Sequence, residues 1–451
     1  MTNPTTEIAI VNNTGSSQAY AYVTGLDINN NNAPLFMESD GKTVYRPSSP
    51  SEPQSALAAD IAISLGAPGA TTTITIPQIA GGRIWFSTGA TQLTFLLNPG
   101  PAVVEPSVTN AADPNYNLPW GFCEFTYNQQ QLFVNISYVD FVSPLPVALQ
   151  LTNTSGAVQT VRGLPKNGLD AVCAALVQQN AADGAGWDKL VVKAPDGTTN
   201  LRALSPNSGR VMDASLFQGY YDAYVDQVWA KYAATDLTVN TQASWGNVTG
   251  RVSSNGLLTF AGVGTFAKPG AGDIFSCSTG PFADYPAASA DEMGALGARL
   301  AAALNRSTLL SDAQQPDGET VASYYAASPT NHYARVCHAA NLDGRGYAFP
   351  YDDVAADGDT EPDQAGTVFD ANPQLLTVTV GGPAASTDAP KAGGGGGSKE
   401  RDGGESKKPD VGNGDKDKKK DKNTKTPASG NKFLDALKSW LGPLKKLLHI
   451  K

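Results

Sequence analysis

The first 160 residues break into runs too short and too strictly bounded to be helices. EIAIVNN, QAYAYVTGLDI, TTTITIPQIA, GGRIWFSTG and TQLTFLL are rich in Val, Ile, Thr and aromatic residues, and turn-forming residues close each of them. Strands of this kind must bury a face against a second layer, so this third of the chain reads as a β-sandwich or barrel. A charged content of only 16%, with 46 Gly and 30 Pro, fits a turn-rich β-protein better than a helical bundle.

The period changes near residue 164. GLDAVCAALVQQNAA places Leu169, Val172, Leu176 and Val177 on one helical stripe, and SLFQGYYDAYVDQVWAKYAA does the same for Phe217, Tyr220, Tyr221, Tyr224, Val228 and Trp229. DEMGALGARLAAALNRSTL reads as a third helix. KLVVKA is a strand candidate, and LTVNTQAS, GRVSSNG and LLTFAGVGTF form a small antiparallel meander. GYAFPYDDVA and PQLLTVTVGG then return to β-structure. The expected architecture is mainly β with an α/β insertion: a β-domain at 1–160, completed by 341–382 when the last strand rejoins the first sheet, and a mixed α/β domain at 161–340.

The rest of the chain has another character. Residues 383–430 are a low-complexity run of glycine, lysine and aspartate, expected to be a disordered linker. Residues 431–451 place Phe433, Leu434, Leu437, Trp440, Leu441, Leu444 and Leu448 on one stripe with lysines mostly off it, a basic amphipathic helix suited to an anionic membrane surface or a partner groove. Residues 399–451 carry a net charge of +7, which leaves −17 for residues 1–398 out of the total of −10. So acidic a body argues against nucleic acid as a partner and suits a neutral ligand such as a sugar.

Several chemistries are set aside. Only three histidines occur, His332, His338 and His449, and there is no HExxH, GxSxG or Walker A pattern. The cysteines Cys123, Cys173, Cys277 and Cys337 form no CxxC pair, which argues against zinc; no metal or cofactor is expected. A Cys277–Cys337 disulfide is the expectation for an oxidising compartment, with four buried thiols as the alternative. MTNPTTEIAIVNN has neither the basic nor the apolar region of a signal peptide, and no stretch is long and apolar enough to span a membrane.

Carboxylate chemistry remains. Residues 120–141, WGFCEFTYNQQQLFVNISYVDF, read as two strands around a polar turn, with one acid on each, Glu124 and Asp140. Alternation puts Phe122, Glu124, Thr126 and Asn128 on one face and Cys123, Phe125 and Tyr127 on the other. The first set is expected to face away from the core, so Glu124 carries no burial penalty. Asp140 falls with Val134, Ile136 and Tyr138, on the wrong face, unless a bulge or the end of the strand releases it. Two carboxylates across one face suit glycoside hydrolysis, one as proton donor and one as base or nucleophile. On spacing alone, solvated strand residues or turn caps are the better account of them, since acids two strands apart are common.

The motifs themselves carry more. EFTYN followed by NISYVDF resembles the paired strands of the thaumatin-like fold; YAFPYDDV and the N-terminal EIAIVNNTGSSQAYAYV resemble further segments of it. With PWGFCEFTYN, YVDFVSPLPVAL and the long α/β stretch, the chain is similar over roughly residues 1–382 to glycoside hydrolase family 64, the β-1,3-glucanases that release laminaripentaose. The resemblance implies an endo-acting, inverting enzyme with Glu124 as general acid and Asp140 as general base, their carboxyls roughly 6.5–9.5 Å apart. It implies glucan contacts at Thr126, Asn128 and Phe133, the last replacing a tryptophan; Asp352 and Asp353 either line the same groove or form a turn next to a sheet edge. Asn135 stands where many thaumatin-like proteins have a second cleft Asp. β-1,3-Glucan is the implied partner, the cell exterior or wall the implied location, and a monomer the expected state. The alternative is a glucan-binding module without turnover.

Overall fold

The computed structural model describes residues 1–357 and 364–383; the expected linker beyond residue 383 and the amphipathic helix at 431–451 lie outside the described residues. Two sheets form the β-body. The smaller runs in the order Val158–Val161, Val147–Asn153, Pro373–Val380, Thr5–Asn12, Thr71–Pro77. The strand at the end of the described chain thus lies inside this sheet, parallel to Thr5–Asn12 and antiparallel to Val147–Asn153. The described residues between 162 and 366 form an excursion between strands that return to one body.

The larger sheet runs Thr367–Asp370, Leu132–Asn135, Trp120–Tyr127, Ile79–Thr88, Ala19–Asp27, Ala33–Met37, Val44–Tyr45, with Ile63–Ser64 also on Ala19–Asp27. Ile8, Ile10, Ile74 and Ile76 of the smaller sheet share one apolar core with Ile84, Cys123, Phe125, Leu132 and Val134 of the larger. Register shifts on both sides of Ile79–Thr88 mark a bulge at Ala80–Gly81, where Gly81 has a φ of +54°. At Gly82 a Cβ would lie 2.4 Å from the Phe125 ring, so only glycine lets these strands approach.

The excursion holds the expected helices at Gly168–Asp183 and Ala290–Arg306, the strand Val191–Lys193, and a meander over Leu237–Asn240, Asn247–Val252, Leu258–Phe260 and Gly264–Phe266. A helix at His332–Ala340 was not foreseen. Two readings are corrected. The helix expected from Ser215 starts only at Asp222, because Phe217 and Gly219 take left-handed backbone angles that no α-helix accommodates. Phe217, Tyr220 and Tyr221 are instead gathered around Trp187 and Phe275. GYAFPYDDVA forms turns rather than a strand, apart from one bridge between Ser137 and Tyr347. The four cysteines are buried and free, so the Cys277–Cys337 disulfide is not formed; burial pushes the Cys123 and Cys173 thiols up to about 12. Among the described residues, no helix is long and apolar enough to cross a membrane and no cluster of acids, His or Cys could hold a metal ion.

Candidate active site

The larger sheet sets one polar row across five strands. Register pairs Thr24 with Arg83, Arg83 with Glu124, Glu124 with Asn135, and Asn135 with Thr367. Residues directly opposite on neighbouring strands point to the same face, so these side chains form a continuous band. The next row along is Thr126, Phe133 and Phe369. Phe133 and Phe369 stack with ring centroids 6.4 Å apart, and Phe369 is 46% exposed at the sheet edge.

Glu124 is where alternation puts it, but its setting differs from the expectation. Every residue of Trp120–Tyr127 is buried, and Glu124 is only 8% exposed. The polar face is itself covered, so the carboxyl does bear a desolvation cost. Its compensation is Arg83, whose Nε donates to Glu124 Oε1 at 3.2 Å while Nη2 lies 3.2 Å from the same oxygen. Arg83 packs over Trp85 and Phe122, 5.3 and 4.8 Å from their ring centres, and also pairs with Glu105 at 2.6 Å. Burial raises the Glu124 pKa, Arg83 opposes it, and the charge of Asp140 raises it further; the net direction is upward. A carboxyl held this way is suited to keeping a proton.

Asp140 lies past the end of its strand. The strand Leu132–Asn135 stops at Asn135, and residues 136–140 leave regular pairing before Phe141–Val142 joins Ala203–Leu204 of the excursion. Strict alternation therefore no longer applies at Asp140. The segment is pinned on several sides: Tyr138 N–H donates to Tyr347 O at 2.7 Å, Tyr333 OH to Tyr138 O at 2.7 Å, and Ser205 N–H to Asp140 O at 2.9 Å. Asp140 itself is half-buried, and its charge acts on both Arg83 and Glu124.

The remaining expected residues separate. Thr126 is buried, and its Oγ1 finds no hydrogen-bond partner, as does Asn135 Oδ1 beside Glu124. Two orphaned polar atoms in adjacent rows beside a buried acid are what a polar ligand would satisfy. Asn128 lies past the strand end, where its Oδ1 accepts from the Gln130 and Gln131 amides and caps the turn. Asp352 does not line a groove: it is 1% exposed, paired to His338 Nε2 at 3.0 Å and to Arg306 Nη2 at 3.2 Å, and accepts from Ala348 N–H. Every oxygen of its carboxylate is thus spent on the interior. Asp353 is half-buried and accepts from Tyr347 OH at 2.9 Å, on the turn that bridges to Ser137. Sequence reasoning missed Arg83, Glu105 and Phe369. Arg83 did leave a signal, as the lone cation in the otherwise apolar GGRIWFS strand.

The Beta-1,3-glucanase model of glycoside hydrolase family 64 matches residues 4–380. A glucan endo-1,3-beta-glucosidase of Cellulosimicrobium cellulans is 32% identical over 333 residues, 72% of this chain. One from Arthrobacter sp. (strain YCWD3) is similar to the same extent. The chain spans 56% of the length of these curated relatives. A crystal structure of a laminaripentaose-producing beta-1,3-glucanase in complex with laminaritetraose superposes with a TM-score of 0.73 at 33% identity, covering 84% of this chain and 98% of that one. A beta-1,3-glucanase domain from Clostridium beijerinckii, 22% identical, shares the fold with a TM-score of 0.65, covering 84% and 98%. The family-model match over nearly the whole described body and the 32% identity to these relatives show that this chain belongs to glycoside hydrolase family 64.

Proposed function

We propose that the protein is an endo-acting, inverting β-1,3-glucanase that cuts linear β-1,3-glucan into short oligosaccharides such as laminaripentaose. Glu124 is the general acid and protonates the leaving glycosidic oxygen. Asp140 is the general base and takes a proton from the water that attacks the anomeric carbon from the opposite face. The observation that carries this reading is the unequal setting of the two acids. Glu124 is buried with its pKa raised, whereas Asp140 sits half-buried on an irregular segment beside it. A pair in which one carboxyl holds a proton and the other keeps contact with water divides acid from base.

The polar band supplies the rest of the site. Thr126 Oγ1 and Asn135 Oδ1 have no hydrogen-bond partner within the protein and lie in the rows that hold and adjoin Glu124, the positions where a sugar hydroxyl reaching the band would find an acceptor. The Phe133–Phe369 pair offers an apolar face to the C–H side of a pyranose. Wall glucan outside the cell is the substrate source that fits this chemistry. The test is digestion of linear β-1,3-glucan by wild-type protein, Glu124→Gln and Asp140→Asn, each confirmed as folded. Soluble oligosaccharides from the wild type, with at least a thousandfold loss in both variants, is the expected result; near-full activity of Glu124→Gln removes that residue from the reaction.

A further inference from the structure

The Arg83 guanidinium touches two carboxylates, and only Glu124 has a role so far. The other, Glu105, follows the strand Ala102–Val104, which pairs with Leu96–Asn98 in a small sheet separate from the two main ones. Glu105 Oε2 lies 2.6 Å from Arg83 Nη1, and its Oε1 accepts from Thr24 Oγ1 at 3.1 Å. Thr24 in turn accepts from Trp85 Nε1 at 2.9 Å. The contacts between Arg83 and Glu124 are longer, at 3.2 Å. With its plane held over Trp85 and Phe122, the guanidinium is shared between two acids and sits closer to Glu105.

We propose that Glu105 is a positioning residue of the site: it engages the Arg83 cation so that Glu124 keeps its proton at the pH of the reaction. The proposal rests on reading Glu124 as the proton donor. A full positive charge against a buried carboxyl favours its ionised form and would disarm an acid. An acid that paired with no cation would lack a fixed orientation. A guanidinium whose charge is largely balanced by a second carboxylate orients Glu124 without stripping it. The charged groups that act on Glu124 are Arg83 from Ile79–Thr88, Asp140 from the 136–140 segment, and Glu105. Cys123, its chain neighbour, points to the opposite face and stays a neutral thiol; Thr126 and Asn135 are uncharged. Of the three, Arg83 alone is a cation, and Glu105 lies nearest to it.

The test is the pH profile of kcat/KM for Glu105→Gln on a soluble β-1,3-gluco-oligosaccharide. The glutamine retains an oxygen for Thr24 but carries no charge. Activity that depends on a protonated acid falls on the alkaline limb, so leaving Arg83 uncompensated moves that limb to lower pH. About three- to tenfold lower kcat/KM on the alkaline limb is expected, with a smaller change on the acid limb. Glu105→Asp, with the charge kept but drawn back, gives an intermediate displacement. A limb that stays in place in Glu105→Gln, or a loss equal at every pH, overturns the proposal. Glu124→Gln is the separate control: full activity there would sink the donor assignment itself, whereas its inactivity beside an unmoved limb in Glu105→Gln refutes only the role of Glu105.

Discussion

Asp352→Asn separates a structural acid from a substrate-binding one. Asp352 lies between two cations in the interior: His338 Nε2 at 3.0 Å and Arg306 Nη2 at 3.2 Å. His338 Nδ1 faces the Gly344 carbonyl at 2.9 Å, so both ring nitrogens face acceptors and the ring is an imidazolium. Burial pushes the His338 pKa down, but the Asp352 charge and hydrogen bond outweigh it and hold the pKa above the ordinary value. For Asp352, burial acts upward, and His338 and Arg306 more than reverse it, leaving the pKa below the ordinary value. The asparagine variant leaves two buried cations facing one another, although Arg306 keeps Glu319 at 3.8 Å. Removing one partner of such a pair costs about 3–4 kcal/mol. With an unfolding entropy of about 2.1 cal/mol/K per residue over roughly 380 residues, that corresponds to a fall in Tm of about 4 °C.

The pH dependence of this loss has a defined sign. The folded pKa of His338 is raised, so its contribution is complete below about pH 6.5 and fades as pH rises through the folded value. Asp352 has a lowered pKa, so its contribution is complete above about pH 3.9 and is lost as pH falls through the folded value. The gap between wild type and Asp352→Asn is therefore widest between about pH 4 and 6.5 and narrows toward alkaline pH. Thermal melts at pH 5.5 and 9, alongside kcat/KM on a gluco-oligosaccharide, measure both effects. A destabilised variant with KM within about twofold of wild type is expected. Unchanged Tm together with a KM raised tenfold would refute the reasoning and return Asp352 to the groove.

Other outcomes follow from the site and the core. Phe369→Ala removes the exposed half of the aromatic pair and should raise KM about three- to tenfold, with little change in kcat or Tm; an unchanged KM places the pair outside the sugar path. Gly82→Ala drives a Cβ into the Phe125 ring and should destabilise by about 2 kcal/mol, read by urea denaturation, whereas a neutral result means the bulge can shift. The native protein should not react with a thiol reagent, and unreduced denatured protein should release all four thiols; two missing thiols would restore the Cys277–Cys337 pairing.

The hairpin was the most legible part of the sequence. Period-two alternation correctly puts Glu124 and Thr126 on one side of their strand, and the polar turn falls between the two strands as expected. Alternation could not tell an exposed polar face from a buried one, because it reports which residues share a side and not what covers that side. Trp120–Tyr127 is covered on both faces, and the acid there is tolerated because Arg83 arrives from a strand 41 residues earlier in the chain. Asp140 escaped the rule for a different reason: its strand stops at Asn135, and its path is fixed by partners at Ser205, Tyr333 and Tyr347. Such long-range anchors leave no local pattern. The YDDV segment misled in the opposite direction. Two adjacent acids after aromatic residues look like a groove rim, yet Asp352 points inward because His338 and Arg306 of the excursion wait for it.

The central claim, that Glu124 and Asp140 act as an acid–base pair by direct displacement, is tested most directly by the anomer first released. Proton NMR of linear β-1,3-glucan, followed from the first seconds of digestion by the wild-type protein, resolves it before mutarotation. The account predicts that the α-anomer appears first, because one displacement by water inverts a β-linkage. Initial release of the β-anomer would mean two displacements and a covalent intermediate, and would contradict it.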